Sequence, residues 1–312
     1  MTEFHDVALT GGGFDFRVRV YPAPQPTGAV LNWLHGGAFM FGTLDMPEAD
    51  QVGRCLSESG TTVVSVDYTL APLDALAALG PIDGGEGMPA PEGMPTPEQM
   101  RAEMEAAGPR ARYPVASLQT VVAFDWAVAN AQRWGAAPTR VLLGGASAGG
   151  NLAAGAAVRL RDRAATAADA AVPASVALVY PVLHAPLPDA NAELEAKLAG
   201  LPRALTFPPE STSAINANYL GEAAPDEIYA FPGGHDMTGL APTLIVTADR
   251  DRLRASGEAF AAELALAGVD VCVVRQRGAL HGFLNEVGDP AAESTLRWIR
   301  TVATLTAART VR

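Results

Sequence analysis

Residues 141–151 read VLLGGASAGGN, and their interpretation decides the fold. A short apolar run passes into Gly145-Ala146-Ser147-Ala148-Gly149, and a small-residue helical stretch follows. The pattern is G-x-S-x-G in a strand–turn–helix context. Such a turn forces the serine into a strained backbone conformation. The residues two positions either side must lack bulk, so that strand and helix can approach. The hydroxyl is then held at the carboxyl edge of a sheet, above a helix N-terminus whose amides can meet negative charge. With 31 glycines in the chain, a Gly-rich turn without chemical meaning remains an equal reading of this motif taken alone.

The surroundings repeat the same architecture. Apolar runs at 29–34, 62–66, 141–143, 175–180, 243–247 and 270–274 are continuous, as in strands buried on both faces of a parallel sheet. Residues 14–20 (FDFRVRV) alternate, as a half-exposed strand does, behind a turn at Gly11 to Gly13. Helical periodicity covers 116–134, 150–163, 256–267 and 290–309. Strands alternating with helices predict an α/β fold with a mostly parallel sheet. Two stretches break the alternation, 73–112 and roughly 183–236. Long excursions of this kind are lids or disordered loops.

Residues 34–39, Leu-His-Gly-Gly-Ala-Phe, follow another buried strand. Acyl transfer passes through a tetrahedral oxyanion, which needs backbone N–H groups aimed at one point without side chains in the way. A Gly-Gly-Ala run supplies them, with the amide of Ala148 as the usual partner. Asp251 and His281 each sit just beyond the last two strands, where open α/β sheets gather their sites. The order Ser147, Asp251, His281 suits an imidazole that takes the serine proton and a carboxylate that orients the imidazole. Spacing alone leaves Asp249 open as the acid. His35 is expected to brace the oxyanion loop. His5, His184 and His235 lack a motif and are read as structural or solvated.

Composition bounds the partners. The 312 residues are 49% hydrophobic, enough for a large core, and the net charge of -12 argues against nucleic acid. No apolar run reaches the length of a membrane helix, so no stable membrane association is expected. Two cysteines form no disulfide framework, and the first residues carry no signal-peptide pattern, so a cytoplasmic location is expected. No metal-ligand spacing, phosphate loop or dinucleotide fingerprint is present, and no cofactor is expected.

Together, HGGAF (35–39), VDYTLAP (66–72), YPVA (113–116), GASAGGNLA (145–153), YPVL (180–183), DRLRASGEAF (251–260) and HGF (281–283) resemble the hormone-sensitive-lipase-like branch of the α/β-hydrolases, the bacterial family IV esterases. The resemblance implies an α/β-hydrolase fold, a mostly parallel eight-stranded sheet flanked by helices, with a small cap. It implies a serine carboxylesterase with Ser147 as nucleophile, Asp251 as acid in preference to Asp249, and His281 as base. It places the oxyanion amides at Gly37, Ala38 and Ala148. The substrate would be a small to medium carboxylic ester, and a homodimer paired through the last strand is compatible with it. An amidase or arylformamidase shares the machinery, and a non-catalytic ligand receptor shares the scaffold.

The chain departs from the family at Ala146, Arg252 and Leu73, where Asp or Thr, Pro and Glu are usual. Only 34 residues precede His35, so the family's N-terminal cap helix is expected to be missing. The L-A-P and Y-P motifs, normally close, stand 40 residues apart between Pro72 and Tyr113. The stretch 73–112 is therefore an insertion within a single domain spanning 1–312. Within it, TPEQMRAEMEAAG (96–108) predicts a helix capped by Thr96, with Met100, Met104 and Ala107 on one face, as a substitute lid.

Overall fold

In the computed structural model, residues 3–79, 102, 108–167, 169–201 and 203–308 are described. The strands are β1 (His5–Gly11), β2 (Phe14–Tyr21), β3 (Ala29–Leu34), β4 (Thr61–Asp67), β5 (Val141–Ala146), β6 (Val176–Val179), β7 (Thr243–Arg250) and β8 (Val271–Leu280). They form one eight-stranded sheet in the order β1-β2-β4-β3-β5-β6-β7-β8. The β1–β2 and β2–β4 pairs are antiparallel and the others parallel.

The continuous apolar runs became the central strands for the reason anticipated. Every residue of β3, β5 and β6 is buried, because helices cover both faces of the sheet. On one face lie α1 (Pro47–Glu58) and, at the chain's end, α7 (Pro290–Ala308), with Val52, Leu56, Ile299 and Ala303 packed on Leu31, Trp33 and Val63. On the other face lie α2 (Val115–Asn130), α3 (Ala148–Thr166) and α6 (Arg254–Leu266). Their Phe124, Leu152 and Phe260 join Val30, Leu143 and Leu178 in the larger core.

The connection from β6 to β7 holds α4 (Ala192–Leu198), a single helical turn at Arg203–Thr206, and α5 (Pro209–Leu220). The side chain of Asn191 caps α4 by accepting from the Leu194 amide at 2.9 Å. Arg252 then fastens this helix to the β7 end, through two hydrogen bonds to Glu195 of 2.6 and 3.1 Å. Arg252 is one of the residues that departs from the family pattern, and here it acts as a clamp.

Three elements were not anticipated. Strand β1 was not singled out, although its exposure alternates as an edge strand's does. Helix α1 has Pro47 in its first turn and Val52 and Leu56 facing the core, yet its periodicity is brief. A 3-10 turn at Leu73–Leu79 follows the L-A-P motif. The capped helix expected at 96–108 lies outside the described residues, apart from Ala102 and Gly108.

The flanks of that insertion are described. The Ala111 amide donates to the Leu70 carbonyl at 2.9 Å, so the chain departs and returns at one place. Arg110 donates to the carbonyls of Met40 and Ala71 at 2.7 and 2.8 Å, tying the return to the loop after β3. Arg112 and Asn218 then join the same point to α5: Arg112 donates to the Asn218 carbonyl at 2.6 Å, and Asn218 to the Pro72 carbonyl at 2.6 Å.

Candidate active site

Ser147 follows the last residue of β5 and precedes the first of α3. Its backbone has φ 52° and ψ -118°, a conformation that non-glycine residues rarely adopt. The turn is possible because of its glycines. A Cβ on Gly145 would collide with the Gly149 backbone, and one on Gly149 with the carbonyls of Leu34 and His35. Strand and helix therefore touch backbone to backbone, and the Ser147 amide is held by the Val179 carbonyl at 2.9 Å.

His281 follows β8 and Asp251 follows β7. The structure brings all three together. Ser147 Oγ lies 2.9 Å from His281 Nε2, and His281 Nδ1 lies 2.7 Å from Asp251 Oδ2. Asp251 is fully buried, and its Oδ1 accepts from the Leu253 amide at 3.0 Å. With Nδ1–H donated to the carboxylate, the Nε2 lone pair faces the serine hydroxyl, the tautomer that a base requires. Burial disfavours the imidazolium, but the Asp251 charge and hydrogen bond outweigh it, with a further contribution from Glu48. The His281 pKa consequently lies above the ordinary imidazole value.

Asp249 does not touch His281. Its carboxylate pairs with Lys197 at 2.5 Å and accepts from the Gly278 amide at 3.0 Å, so it braces the bend of β8 that delivers His281. Burial works against its charge, but Lys197, the Gly278 amide and Arg254 leave its pKa below the ordinary carboxylate range. Of the histidines without a motif, His184 is buried and bonded to Ser256 at 2.8 Å and Glu263 at 3.0 Å. This second Ser–His–acid contact is sealed, since Ser256 has no exposed surface.

The loop after β3 turns sharply. Gly37, Ala38 and Phe39 all have positive φ (112°, 50° and 63°), and a Cβ on Gly37 would overlap the Phe41 carbonyl. His35 is wholly buried, lies 2.7 Å from the Gly36 carbonyl through Nδ1, and stacks on Tyr68 at 4.6 Å. Tyr68 donates to the His35 carbonyl at 3.0 Å, fixing the loop from below. Burial pushes the His35 pKa down, so the ring is neutral and serves as a brace.

Gly37, Ala38, Ser147, Ala148 and His281 line one cavity of about 140 Å³. Its remaining wall is mainly apolar, with Val182 and Leu253 from the sheet side and Phe207, Thr212, Ile215 and Asn216 from the β6–β7 connection. Phe207 packs edge-on against His281 at 4.6 Å. Two residues went unread in the sequence. Asn151 donates to the carbonyls of Val182 and Ala230 at 2.7 Å each, locking α3 to the segment beyond β6. Glu48, buried on α1, reaches the same cavity. The first lay within the matched GASAGGNLA motif; the second had only Pro47 and the Val52–Leu56 spacing to mark its helix.

Among the described residues, no group of three His, Cys, Asp or Glu could hold a metal ion, and no helix is long and apolar enough to cross a membrane.

The fold and the geometry at its carboxyl edge define the α/β-hydrolase class. The chain belongs to the Abhydrolase_3 family, described as alpha/beta hydrolase fold, whose match covers residues 31–79 and 106–285. It is similar to the carboxylic ester hydrolase LipN of Mycobacterium tuberculosis, with 31% identity over 302 residues, 93% of this chain and 67% of that protein. The carboxylesterase NlhH of the same species is 28% identical over 306 residues, covering 91% of this chain and 76% of the relative. Among solved structures, EstE1, a thermostable carboxylesterase cloned from a metagenomic library, superposes with a TM-score of 0.75. It is 27% identical, with 98% of this chain and 90% of that chain covered.

Proposed function

We infer that this chain is a serine carboxylesterase that hydrolyses small to medium carboxylic esters through an acyl-enzyme. The observation that carries the reading is the hydrogen-bonded series from Ser147 through His281 to Asp251, opening onto a cavity bordered by Gly37, Ala38 and Ala148. Relatives named as carboxylesterases support it.

In this mechanism His281 Nε2 takes the Ser147 proton as Oγ bonds to the ester carbonyl carbon. The carbonyl oxygen becomes an oxyanion held by the amides of Gly37, Ala38 and Ala148. Asp251 stabilises the imidazolium. Collapse breaks the bond to the alkoxy oxygen, which leaves with the proton from His281. A water then repeats the sequence on the acyl-serine and releases the acid. The small apolar cavity favours short acyl chains.

The chain is read as one catalytic domain over 1–312, with cap elements at about 183–236 and, as an insertion, at 73–112. The contacts of Arg110, Arg112 and Asn218 support this arrangement. A cytoplasmic location accords with two unpaired cysteines. A homodimer through β8 accords with that strand's position at the sheet edge.

The test is a fluorophosphonate probe with a panel of p-nitrophenyl esters of increasing acyl length, an anilide and a formamide. Labelling of the wild type and not of Ser147→Ala, with fastest turnover on short esters, is expected. Equal labelling of both proteins, or faster turnover of the anilide or formamide than of any ester, would overturn the reading.

A further inference from the structure

Glu48 is a buried carboxylate that this mechanism leaves unused. It enters the cavity wall from the first turn of α1, on the opposite side of the sheet edge from α3. Both of its oxygens accept hydrogen bonds. Oε1 accepts from the Gly36 amide at 2.6 Å, and Oε2 from the Tyr180 hydroxyl at 2.8 Å. Its backbone is also pinned: the carbonyl accepts from Trp33 Nε1 at 2.8 Å, and the amide donates to Asn285 Oδ1 at 3.2 Å. Accepting at both oxygens is what an ionised carboxylate does, and charge-assisted bonds of this length are the stronger kind.

The two bonds lead to the two halves of the site. Gly36 directly precedes Gly37 and Ala38, and a Cβ at Gly36 would strike Glu48 Oε1, so the carboxylate sits hard against this backbone. The Tyr180 ring lies 4.8 Å from the His281 ring. The groups facing Glu48 are the hydroxyls of Tyr180 and Tyr68 and the imidazoles of His35 and His281. Those facing His281 are Asp251, Ser147, Tyr180 and Glu48. Among the described residues no Lys or Arg forms a salt bridge with Glu48, and its charge acts on the imidazoles of His35 and His281.

We propose that Glu48 is a positioning residue for both halves of the site, tethering the oxyanion loop through Gly36 and holding Tyr180 against His281, so that its charge backs the imidazolium. The proposal rests on the serine-esterase reading and adds a second carboxylate to it. Asp251 contacts the imidazolium directly; Glu48 acts through Gly36, through Tyr180 and through space.

The experiment compares wild type with Glu48→Gln, Glu48→Ala and Tyr180→Phe on p-nitrophenyl acetate across pH, with fluorophosphonate labelling of Ser147 measured separately. Glu48→Gln keeps an acceptor for Gly36 and removes the charge. Its kcat should fall about tenfold with little change in KM, and the acid limb of kcat/KM should move down by roughly 0.5–1 pH unit. The direction follows because His281 must be neutral to act, and losing a nearby anion lowers its pKa. Glu48→Ala should lose about 10²–10³-fold in kcat, as removal of an oxyanion donor does. Tyr180→Phe should lose less, since the Gly36 bond survives. An acid limb unmoved in Glu48→Gln, with kcat within about twofold of wild type, overturns the proposal. A Glu48→Ala chain that fails to fold leaves the isosteric Gln variant to decide. Absence of Ser147 labelling in folded wild type would instead sink the esterase reading beneath it.

Discussion

At the scale of single residues, two aspartates separated by one residue do different work. Asp251 is sealed and bonded to His281, whereas Asp249 pairs with Lys197 and the Gly278 amide. Asp251→Asn should lower kcat by about 10³–10⁴, because the imidazole loses its tautomer control and its counter-charge. Asp249→Asn should cost less than about tenfold in kcat but about 1–3 kcal/mol of stability, since it loosens a charged bond at the β8 bend. Steady-state kinetics and urea unfolding separate the two, and the reverse pattern would move the acid to Asp249. The raised His281 pKa sets the pH dependence. Activity needs the neutral ring, so kcat/KM should fall as pH drops through a value above the ordinary imidazole pKa of about 6.5. Hydrophobic patterning set Ser147, Asp251 and His281 at strand ends, and the structure brings them together; spacing left Asp249 open, and only the family resemblance preferred Asp251. Sequence did not disclose Glu48, because a buried carboxylate looks like any surface glutamate until the packing around it is known.

At the scale of elements, the junction of β5 and α3 is packed backbone against backbone. Gly149 lets α3 rest on the carbonyls of Leu34 and His35. A methyl group there must push helix from strand, and Gly149→Ala should cost roughly 3 kcal/mol, at the upper end of overpacking losses. Thermal or urea unfolding checks this; a substitution neutral in stability would contradict the close approach. Core strands were legible because burial on both faces leaves continuous apolar runs. Strand β1 and helix α1 were less so: each has only a narrow apolar face, spread over a short span rich in polar residues. The connection from β6 to β7 was legible as an excursion, yet its helices follow from tertiary clamps such as Arg252 with Glu195.

At the scale of the whole molecule, the described sheet ends in two edge strands, β1 and the longer β8. Among the described residues, strand β8 pairs with β7 alone and carries ten residues, among them the exposed Val273. Unpaired backbone donors and acceptors on such an edge invite a second strand. If two copies pair there, light scattering should return twice the chain mass, and a proline in place of Val273 should shift it to a monomer. A wild type that stays monomeric at micromolar concentration would remove β8 as an interface. His281 leaves the end of this same strand, so the monomeric variant also asks whether edge pairing steadies the base.

The Ser147 backbone, at φ 52°, has a further consequence for how such a chain ages under mutation. A residue held this way costs about 1–3 kcal/mol, and glycine escapes most of that penalty. Ser147→Gly should therefore melt above Ser147→Ala, although both lack the hydroxyl. On the proposed role of Ser147 as nucleophile, the inactive glycine variant would be the sturdier of the two, so selection for folding alone would erode the serine. On that role, a serine in a place where the fold prefers none would be kept by selection for turnover.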